Sequence, residues 1–229
     1  MSELVFDCTD AGADAYAAAP TLVFRLKISE TSGQPIGGIN LRVQFRIEPL
    51  KRRYADAEAD RIGDLFGERA RWGDTMKPMQ FANVSQMVPP FSGSIQVDVP
   101  VPLTYDFEVA TAKYFHGLDE GEIPFIILFS GTTFLDMKGS LQIEQIPWHK
   151  ETFYRLPVAV WRDAMDVHFP DSTWMRVRRE TLDSLQRFKS RLTLPTWDET
   201  IEALLRQAGE PTPGSNGNRE PAGAPPREH

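Results

Sequence analysis

Residues 21–29 (TLVFRLKIS) and residues 39–47 (INLRVQFRI) decide the fold class, because apolar and polar side chains alternate along both stretches. Alternation with a period of two places one set of side chains on each face of a β-strand. Phe24 and Phe45 fall on the two apolar faces. The turn-rich residues 32–38 (SGQPIGG) between them predict that the two strands pair as a hairpin with one buried face.

Further strand signals surround this pair. They lie around Val5 and at residues 94–99, 103–115, 123–129, 141–146 and 152–156. The continuous apolar run at residues 123–129 predicts a strand covered on both faces. Residues 54–66 change to helical spacing and end at Gly67, which predicts a helix inserted between the strands.

Helical spacing takes over near the C-terminus. It predicts helices over residues 158–168, 172–192 and 196–205. The last of these begins with a capping box, in which Thr196 and Glu199 each satisfy a free backbone N–H. Residues 209–229 are rich in glycine and proline and lack large apolar side chains, so we expect a disordered tail.

These patterns predict an α+β fold with an antiparallel β-sandwich-like body, an inserted helix, C-terminal helices and a disordered C-terminal tail. We expect one domain over residues 1–208, with strands in about residues 3–157 and helices in about residues 158–208. No apolar run approaches the roughly 20 residues that a bilayer-spanning helix needs. The N-terminal residues lack the basic and apolar regions of a secretory signal, and we expect a cytoplasmic protein.

The net charge of −7 and the pI near 5.2 argue against a general affinity for nucleic acid. No phosphate-binding loop, dinucleotide fingerprint or nucleophile elbow occurs in the sequence. We therefore assign no catalytic residue and no cofactor. The alternative is a metal site built from His116, Asp119, His149 and Glu151, although their spacing matches no recognised ligand pattern.

Surface side chains give a different indication. Arg25, Arg42 and Arg46 fall on the polar face of the predicted hairpin, and Arg179 and Arg187 lie on the long predicted helix. These side chains either dock a partner or form ordinary solvated faces. Two tryptophans in loop-like sequence are likewise either lids over the core or anchors of an interface. They are Trp72 and Trp148.

Several stretches resemble an uncharacterised actinobacterial protein family that is typically encoded near [NiFe]-hydrogenase genes. The similar stretches are residues 18–26 (AAPTLVFRL), 65–69 (LFGER), 71–75 (RWGDT), 109–116 (VATAKYFH), 147–151 (PWHKE) and 156–162 (LPVAVWR). The resemblance covers about residues 1–208. It implies an accessory or assembly role, with a hydrogenase subunit or precursor as the partner, and it transfers no catalytic residue.

Two hypotheses from different classes follow. The first is a non-catalytic accessory protein that binds its partner through basic and aromatic surfaces. The second is a metal-handling or metal-dependent enzyme that uses His116, His149 and nearby carboxylates. The sequence leaves the oligomeric state open.

Overall fold

A computed structural model of the chain describes residues 2–103, 109–137, 140–170 and 177–212. The chain divides into two compact units, Met1–Ser172 and Thr173–His229. The single domain expected over residues 1–208 stays a prediction. From residue 213 onward, the predicted disordered tail lies outside the described residues.

The first unit contains the strands and four of the described helices. Its strands are β1 (Leu4–Ala13), β2 (Thr21–Glu30), β3 (Ile36–Ile47), β4 (Met79–Val88), β5 (Ser94–Pro102), β6 (Glu122–Met137), β7 (Ser140–Gln145) and β8 (Glu151–Pro157). Its helices are α1 (Asp56–Phe66), α2 (Trp72–Thr75), α3 (Val109–His116) and α4 (Val158–Asp166), with 3₁₀ helices at Pro49–Lys51 and Arg69–Arg71. The second unit contains α5 (Arg179–Arg191) and α6 (Trp197–Ala208).

The strands form two antiparallel sheets that pack face to face. One sheet has the order β1-β2-β5, and the other has the order β4-β3-β6 with both β7 and β8 on the far side of β6. Phe24 and Phe45 meet across the interface with ring centroids 4.5 Å apart, and Phe6 stacks on Phe129 at 4.3 Å. Two antiparallel sheets packed face to face are the architecture of β-sandwiches. The predicted sandwich-like α+β class is confirmed.

The predicted hairpin of residues 21–47 is wrong, because its two strands belong to different sheets. Strand β2 pairs with β1 and β5, whereas β3 pairs with β4 and β6. Alternation fixes which face of a strand is buried, but it does not identify the neighbouring strand. The buried faces themselves are confirmed, since Phe24 and Phe45 are fully buried.

The buried carboxylate of Glu30 organises the crossing between the sheets. It accepts hydrogen bonds from the backbone N–H groups of Glu3, Ser32 and Gln34 at 2.9–3.0 Å and from the Ser32 hydroxyl. Burial acts to raise the pKa of Glu30, but these hydrogen bonds lower it to about 2. The carboxylate therefore fixes the turn through which the chain leaves one sheet for the other.

The strand predicted over residues 103–115 is wrong for residues 109–115, which are helical. The described part of this stretch contains helix α3, in which the adjacent Tyr114 and Phe115 are both fully buried. Phe115 packs on Phe81, with ring centroids 5.6 Å apart, and Tyr114 packs on Phe66 at 6.1 Å. Packing has here overridden the β-propensity of valine, threonine and aromatic residues. Strand β4 was not predicted, and only two of its residues, Phe81 and Val88, are buried.

Strand β6 changes partner halfway along its length. Residues 122–128 pair with β8, and residues 132–137 pair with β7. Gly131 lies between them with φ +133°, where a Cβ atom would overlap the carbonyl oxygen of Asn40. The prediction that residues 123–129 are covered on both faces of the strand is wrong at Ile126 and Leu128. These two side chains are only half-buried because they point away from the sandwich core.

The N-terminus is tied to the end of the sandwich. The backbone N–H and the hydroxyl of Ser2 both donate to a Glu144 carboxylate oxygen at 2.8 Å. The Lys150 ammonium lies 3.0 Å from Glu3 Oε1. Residues more than 140 positions apart in sequence are thus joined by direct contacts.

The predicted helices are largely confirmed. Helix α1 ends at Gly67, whose φ is +73°, and α4 covers the predicted helix after Pro157. The Thr196 hydroxyl accepts the N–H of Glu199 at 3.1 Å, which is one of the two bonds of the predicted capping box. Helix α5 begins at Arg179, and residues 172–176 of the longer predicted helix lie outside the described residues. Among the described residues, no helix combines the length and apolar composition that crossing a bilayer requires.

Candidate protein-binding surface

The side chains of the five-stranded sheet that point away from the core form a surface that we call the outer face. Strand pairing places Arg46 beside Ile126, and Ile126 beside Phe153. The outer face comprises Asn40, Arg42, Gln44 and Arg46 on β3, Asn83, Ser85 and Met87 on β4, Ile126, Leu128, Ser130, Thr132 and Phe134 on β6, Ile143 on β7, and Phe153 on β8.

The outer face is unusually apolar at both ends of β6. Phe153 and Ile143 are each 58% exposed, and Phe153 is covered only partly by the Lys51 ammonium, which lies 4.8 Å from its ring centroid. The solvated face of an antiparallel sheet normally carries polar side chains. Phe153 with Ile126, and Ile143 with Phe134, form two small apolar patches on this face.

Two arginines on β3 give the outer face a positive charge. Arg42 and Arg46 form no ion pair with any residue in the described parts of the chain. Four residues along one strand separate them by about 13 Å. Their charges are available to an acidic group that approaches the sheet.

The loop between β7 and β8 displays Trp148, whose side chain is 90% exposed. The loop is anchored at both ends to β6, since Ile146 N–H donates to the Gly131 carbonyl and Phe129 N–H donates to the Lys150 carbonyl, each at 2.9 Å. A further bond of 3.1 Å from Lys150 N–H to the Pro147 carbonyl closes the loop. The indole is therefore presented on a preorganised backbone at the edge of the sheet.

The structure assigns Trp72 a different role. Trp72 is buried on α2, its Nε1–H donates to the Gly67 carbonyl at 3.0 Å, and its ring packs on Tyr54 at 5.3 Å. It is a lid over the core rather than an exposed anchor. The same kind of loop-like sequence thus placed one tryptophan inside and the other outside.

The remaining predicted binding residues do not join the outer face. Arg25 lies on the three-stranded sheet, where it pairs with Asp98 at 3.1 Å and with Asp10 at 3.6 Å. Arg179 and Arg187 are exposed residues of α5 in the second unit. Of the seven predicted binding residues, Arg42 and Arg46 lie on the five-stranded sheet, and Trp148 lies on the loop between two of its strands.

Two of the four predicted metal ligands contact other side chains, and the other two are exposed. His116 on α3 meets the Trp161 ring edge to face at 5.0 Å, and burial lowers the pKa of His116. Asp119 pairs with Arg61 and lies 3.9 Å from Arg162. His149 and Glu151 are exposed at the end of the Trp148 loop. Within the described ranges, no three His, Cys, Asp or Glu side chains cluster as metal ligands.

The sequence analysis missed a buried polar network between α1 and α3. Arg52 Nη2 lies 2.6 Å from Glu58 Oε1, which also accepts the Asp119 N–H at 2.8 Å. Burial raises the pKa of Glu58, but hydrogen bonds from the Asp119 and Ala55 N–H groups and the Arg52 charge lower it overall. Glu58 stands at the third position of α1, where a capping glutamate is expected, and this position was the available signal.

Two tyrosines complete this network. The Tyr54 hydroxyl donates to the Pro49 carbonyl at 2.7 Å and lies 2.8 Å from the Tyr114 hydroxyl, which therefore donates to it. Burial raises the pKa of Tyr54 to about 12, so both hydroxyls stay protonated at neutral pH. These bonds hold the inserted helix against the sandwich.

A cleft of about 650 Å³ lies beside the network. Its walls carry cations, among them Lys51, Arg53 and Arg155, and carboxylates, among them Asp119 and Glu122. Arg155 lies 3.9 Å from the Glu122 carboxylate, so part of the charge is neutralised within the chain. The mixture indicates no single class of ligand.

Comparisons with solved structures give low similarity. A β-glucosidase from Kluyveromyces marxianus is 8% identical with a TM-score of 0.26, over 67% of this chain and 15% of that chain. The putative ApaA protein from Bordetella pertussis is 8% identical with a TM-score of 0.27, over 68% of this chain and 94% of that chain. β-Glucosidase 3B from Thermotoga neapolitana, in complex with α-D-glucose, is 11% identical with a TM-score of 0.25, over 67% and 17% of the two chains.

This chain therefore spans about one sixth of the length of the two β-glucosidases. The fold assignment rests on the strand order described above. No curated protein matches the chain. A family of unknown function, DUF6084, matches residues 1–213, and the chain belongs to that family.

Proposed function

We propose that this protein is a non-catalytic accessory or assembly protein that binds a protein partner through its outer face and the Trp148 loop. The observation that carries the proposal is the 90% exposure of Trp148 on a loop held by backbone hydrogen bonds. Tryptophan and arginine are enriched among the residues that dominate binding energy at protein interfaces. A rigid loop also loses little conformational freedom on binding.

The neighbouring charges support the same role. Arg42 and Arg46 are positive side chains on a chain whose formal charge is −7, so they concentrate positive potential on one face of an acidic molecule. Such a patch accelerates encounter with an acidic partner surface. The apolar side chains Phe153 and Ile143 supply area that is removed from water when the partner docks.

The identity of the partner follows from the resemblance described for the sequence. A family typically encoded near [NiFe]-hydrogenase genes is expected to act on a hydrogenase subunit or its precursor. The partner of this proposal is therefore the large or small subunit of a [NiFe]-hydrogenase from the same organism, before or after maturation.

Co-expression tests both parts of the proposal. The tagged full chain is produced with each hydrogenase subunit, in precursor and mature form, and the retained subunit is quantified. We expect retention by the wild type and a loss of at least about tenfold in affinity for Trp148→Ala, since a central tryptophan typically contributes 2 kcal/mol or more.

Tyr16→Ala is the matched control. Tyr16 is an aromatic residue that is 99% exposed on the loop between β1 and β2, two strands of the other sheet, so its loss should leave retention unchanged. Equal retention by Trp148→Ala and the wild type would exclude the Trp148 loop. Failure to retain any subunit would exclude the hydrogenase as the partner.

A further inference from the structure

The helices of the second unit bury none of their apolar side chains. Between residues 177 and 212, the only buried residues are Thr200 and Thr212. Helices α5 and α6 are nevertheless amphipathic, with apolar stripes that are half-buried or exposed. The stripes consist of Leu182, Leu185, Phe188 and Leu192 along α5, and of Trp197, Ile201, Leu204 and Leu205 along α6.

A pair of helices without a buried core is not expected to persist by itself. Isolated helices of fewer than about 12–15 residues are marginal in water, and helices gain most of their stability by packing an apolar face. Leu192 is 44% exposed and Trp197 is 40% exposed. The stripe therefore requires cover from another surface.

The charges of the two helices indicate which surface fits. Helix α5 contains four basic and two acidic residues, whereas α6 contains three acidic and one basic residue. The basic residues Arg187 and Arg191 stand in the last two turns of α5, and the acidic residues Asp198 and Glu202 stand in the first two turns of α6. Within residues 177–212, these side chains form no ion pair with one another.

Helix dipoles explain part of this distribution, because acids favour the first turn of a helix and bases favour the last. They do not explain why none of the apolar side chains between the charges is fully buried. A covering surface must be apolar where the stripes are. It must also place acidic side chains opposite the basic end of α5 and basic side chains opposite the acidic start of α6. A second copy of the hairpin with its turn at the same end has both properties, because the basic end of α5 then faces the acidic start of the other copy's α6.

We propose that α5 and α6 pair with the same two helices of a second copy about a two-fold axis, so that α5 of each copy lies against α6 of the other. A two-fold interface uses every contact twice, so each basic end meets an acidic end in both halves of the interface. The four helices enclose the apolar stripes as the core of a four-helix bundle.

Sedimentation equilibrium of the full chain over a dilution series tests this assembly. The wild type should reach twice the 25.9 kDa mass of one chain. Two charge-reversal variants isolate the pairing: Arg187→Glu with Arg191→Glu on α5, and Asp198→Lys with Glu202→Lys on α6. Each variant alone faces like charges in both halves, and its dimer should be at least about tenfold weaker.

Mixing the two variants distinguishes charge pairing from damage to the helices. In the mixed dimer, the acidic α5 of one variant meets the basic α6 of the other, and the wild-type acidic α6 of the first meets the wild-type basic α5 of the second. An equimolar mixture should therefore recover the dimer. Helices that had merely been destabilised would not recover it.

The control is Lys27→Glu with Lys77→Glu, a double reversal of exposed lysines in the first unit, which should leave the dimer unchanged. Phe188→Ala removes apolar area without changing charge, and it should weaken the wild-type and mixed dimers alike. A wild type that stays monomeric throughout the series overturns the proposal. So does a reversal variant that dimerises as the wild type does, or a mixture that stays monomeric.

Discussion

Strands β2 and β3 share an alternating sequence pattern but differ in what surrounds their outward arginines. On β2, the cross-strand neighbours of Arg25 are Asp10 and Asp98, and both form ion pairs with it. On β3, the cross-strand neighbours of Arg42 are Ser85 and Ser130, which carry no charge. The first arginine is neutralised within its own sheet, whereas the second keeps its charge for another molecule.

The comparison shows that a basic face cannot be evaluated strand by strand. The net potential of a sheet face depends on residues that are distant in sequence and adjacent only after the strands pair. Arg25 and Arg42 are equivalent in sequence pattern, and only the register separates them.

The largest effect concerns the interior that the two strands share. Phe24→Ala and Phe45→Ala should each reduce the free energy of unfolding by about 3–5 kcal/mol, because each deletes a fully buried ring. Since the rings are in contact at 4.5 Å, the double variant should deviate from the sum of the single variants. Chemical denaturation measures all three. A cost near zero at either position would contradict the assignment of the inner faces.

The second effect concerns the turn between β2 and β3. Glu30→Gln should reduce the free energy of unfolding at neutral pH by about 1–3 kcal/mol, because the buried carboxylate accepts several hydrogen bonds. The pKa of Glu30 falls from its ordinary 4.5 to about 2 on folding. The stabilisation is therefore complete above pH 4.5 and is lost as the pH falls through about 2.

Denaturation midpoints of wild type and Glu30→Gln across this pH range provide the check. The difference in stability should be constant above pH 4.5 and shrink toward pH 2. Glu58 also has a lowered pKa, but it is present in both proteins and its contribution cancels in the difference. A difference that stays constant across the whole range would contradict the role given to the Glu30 carboxylate.

The smallest expected effect on stability concerns the cross-strand neighbours of the outward arginines, Arg25 and Arg42. Ser85→Asp with Ser130→Asp gives Arg42 the two acidic neighbours that Arg25 has. Unfolding should change by no more than about 1 kcal/mol, as is usual for exposed ion pairs. Affinity for the proposed hydrogenase subunit should fall about tenfold, mainly through a slower association rate.

The reverse exchange, Asp10→Ser with Asp98→Ser, frees Arg25 on the other sheet and serves as the matched control. It should leave partner affinity unchanged, since the three-stranded sheet is not part of the proposed interface. Association rates at two salt concentrations complete the test, because screening should reduce the difference between wild type and the aspartate variant. Equal association rates for all three proteins would remove Arg42 from the interface.

The sequence predicted the faces of the strands better than their partners. Periodicity identified the buried sides of β2 and β3 correctly, because burial repeats every second residue in any sheet. It could not show that β3 leaves the sheet of β2, since this depends on Glu30 and on strands that lie 50 or more residues further along the chain. Helix α3 was misassigned because Tyr114 and Phe115 favour strands locally but pack here on α1 and β4.

The candidate site was less predictable still. Trp72 and Trp148 have similar polar and glycine- or proline-containing neighbours, yet one is buried and the other is exposed. The difference arises from tertiary contacts: Tyr54 and the Gly67 carbonyl receive Trp72, while the anchors of the Trp148 loop hold the indole outward. Neither environment can be recognised from the residues that neighbour the tryptophan in the sequence.

The contacts between Ser2 and Glu144 have a consequence for synthesis. Strand β1 is made first, but its anchoring residues and strand β8 emerge from the ribosome only after most of the chain has been made. At typical elongation rates of about 5–20 residues per second, the N-terminal strand waits on the order of 10–30 s for these contacts. During translation, β1 therefore lacks these contacts until more than half of the chain has been made.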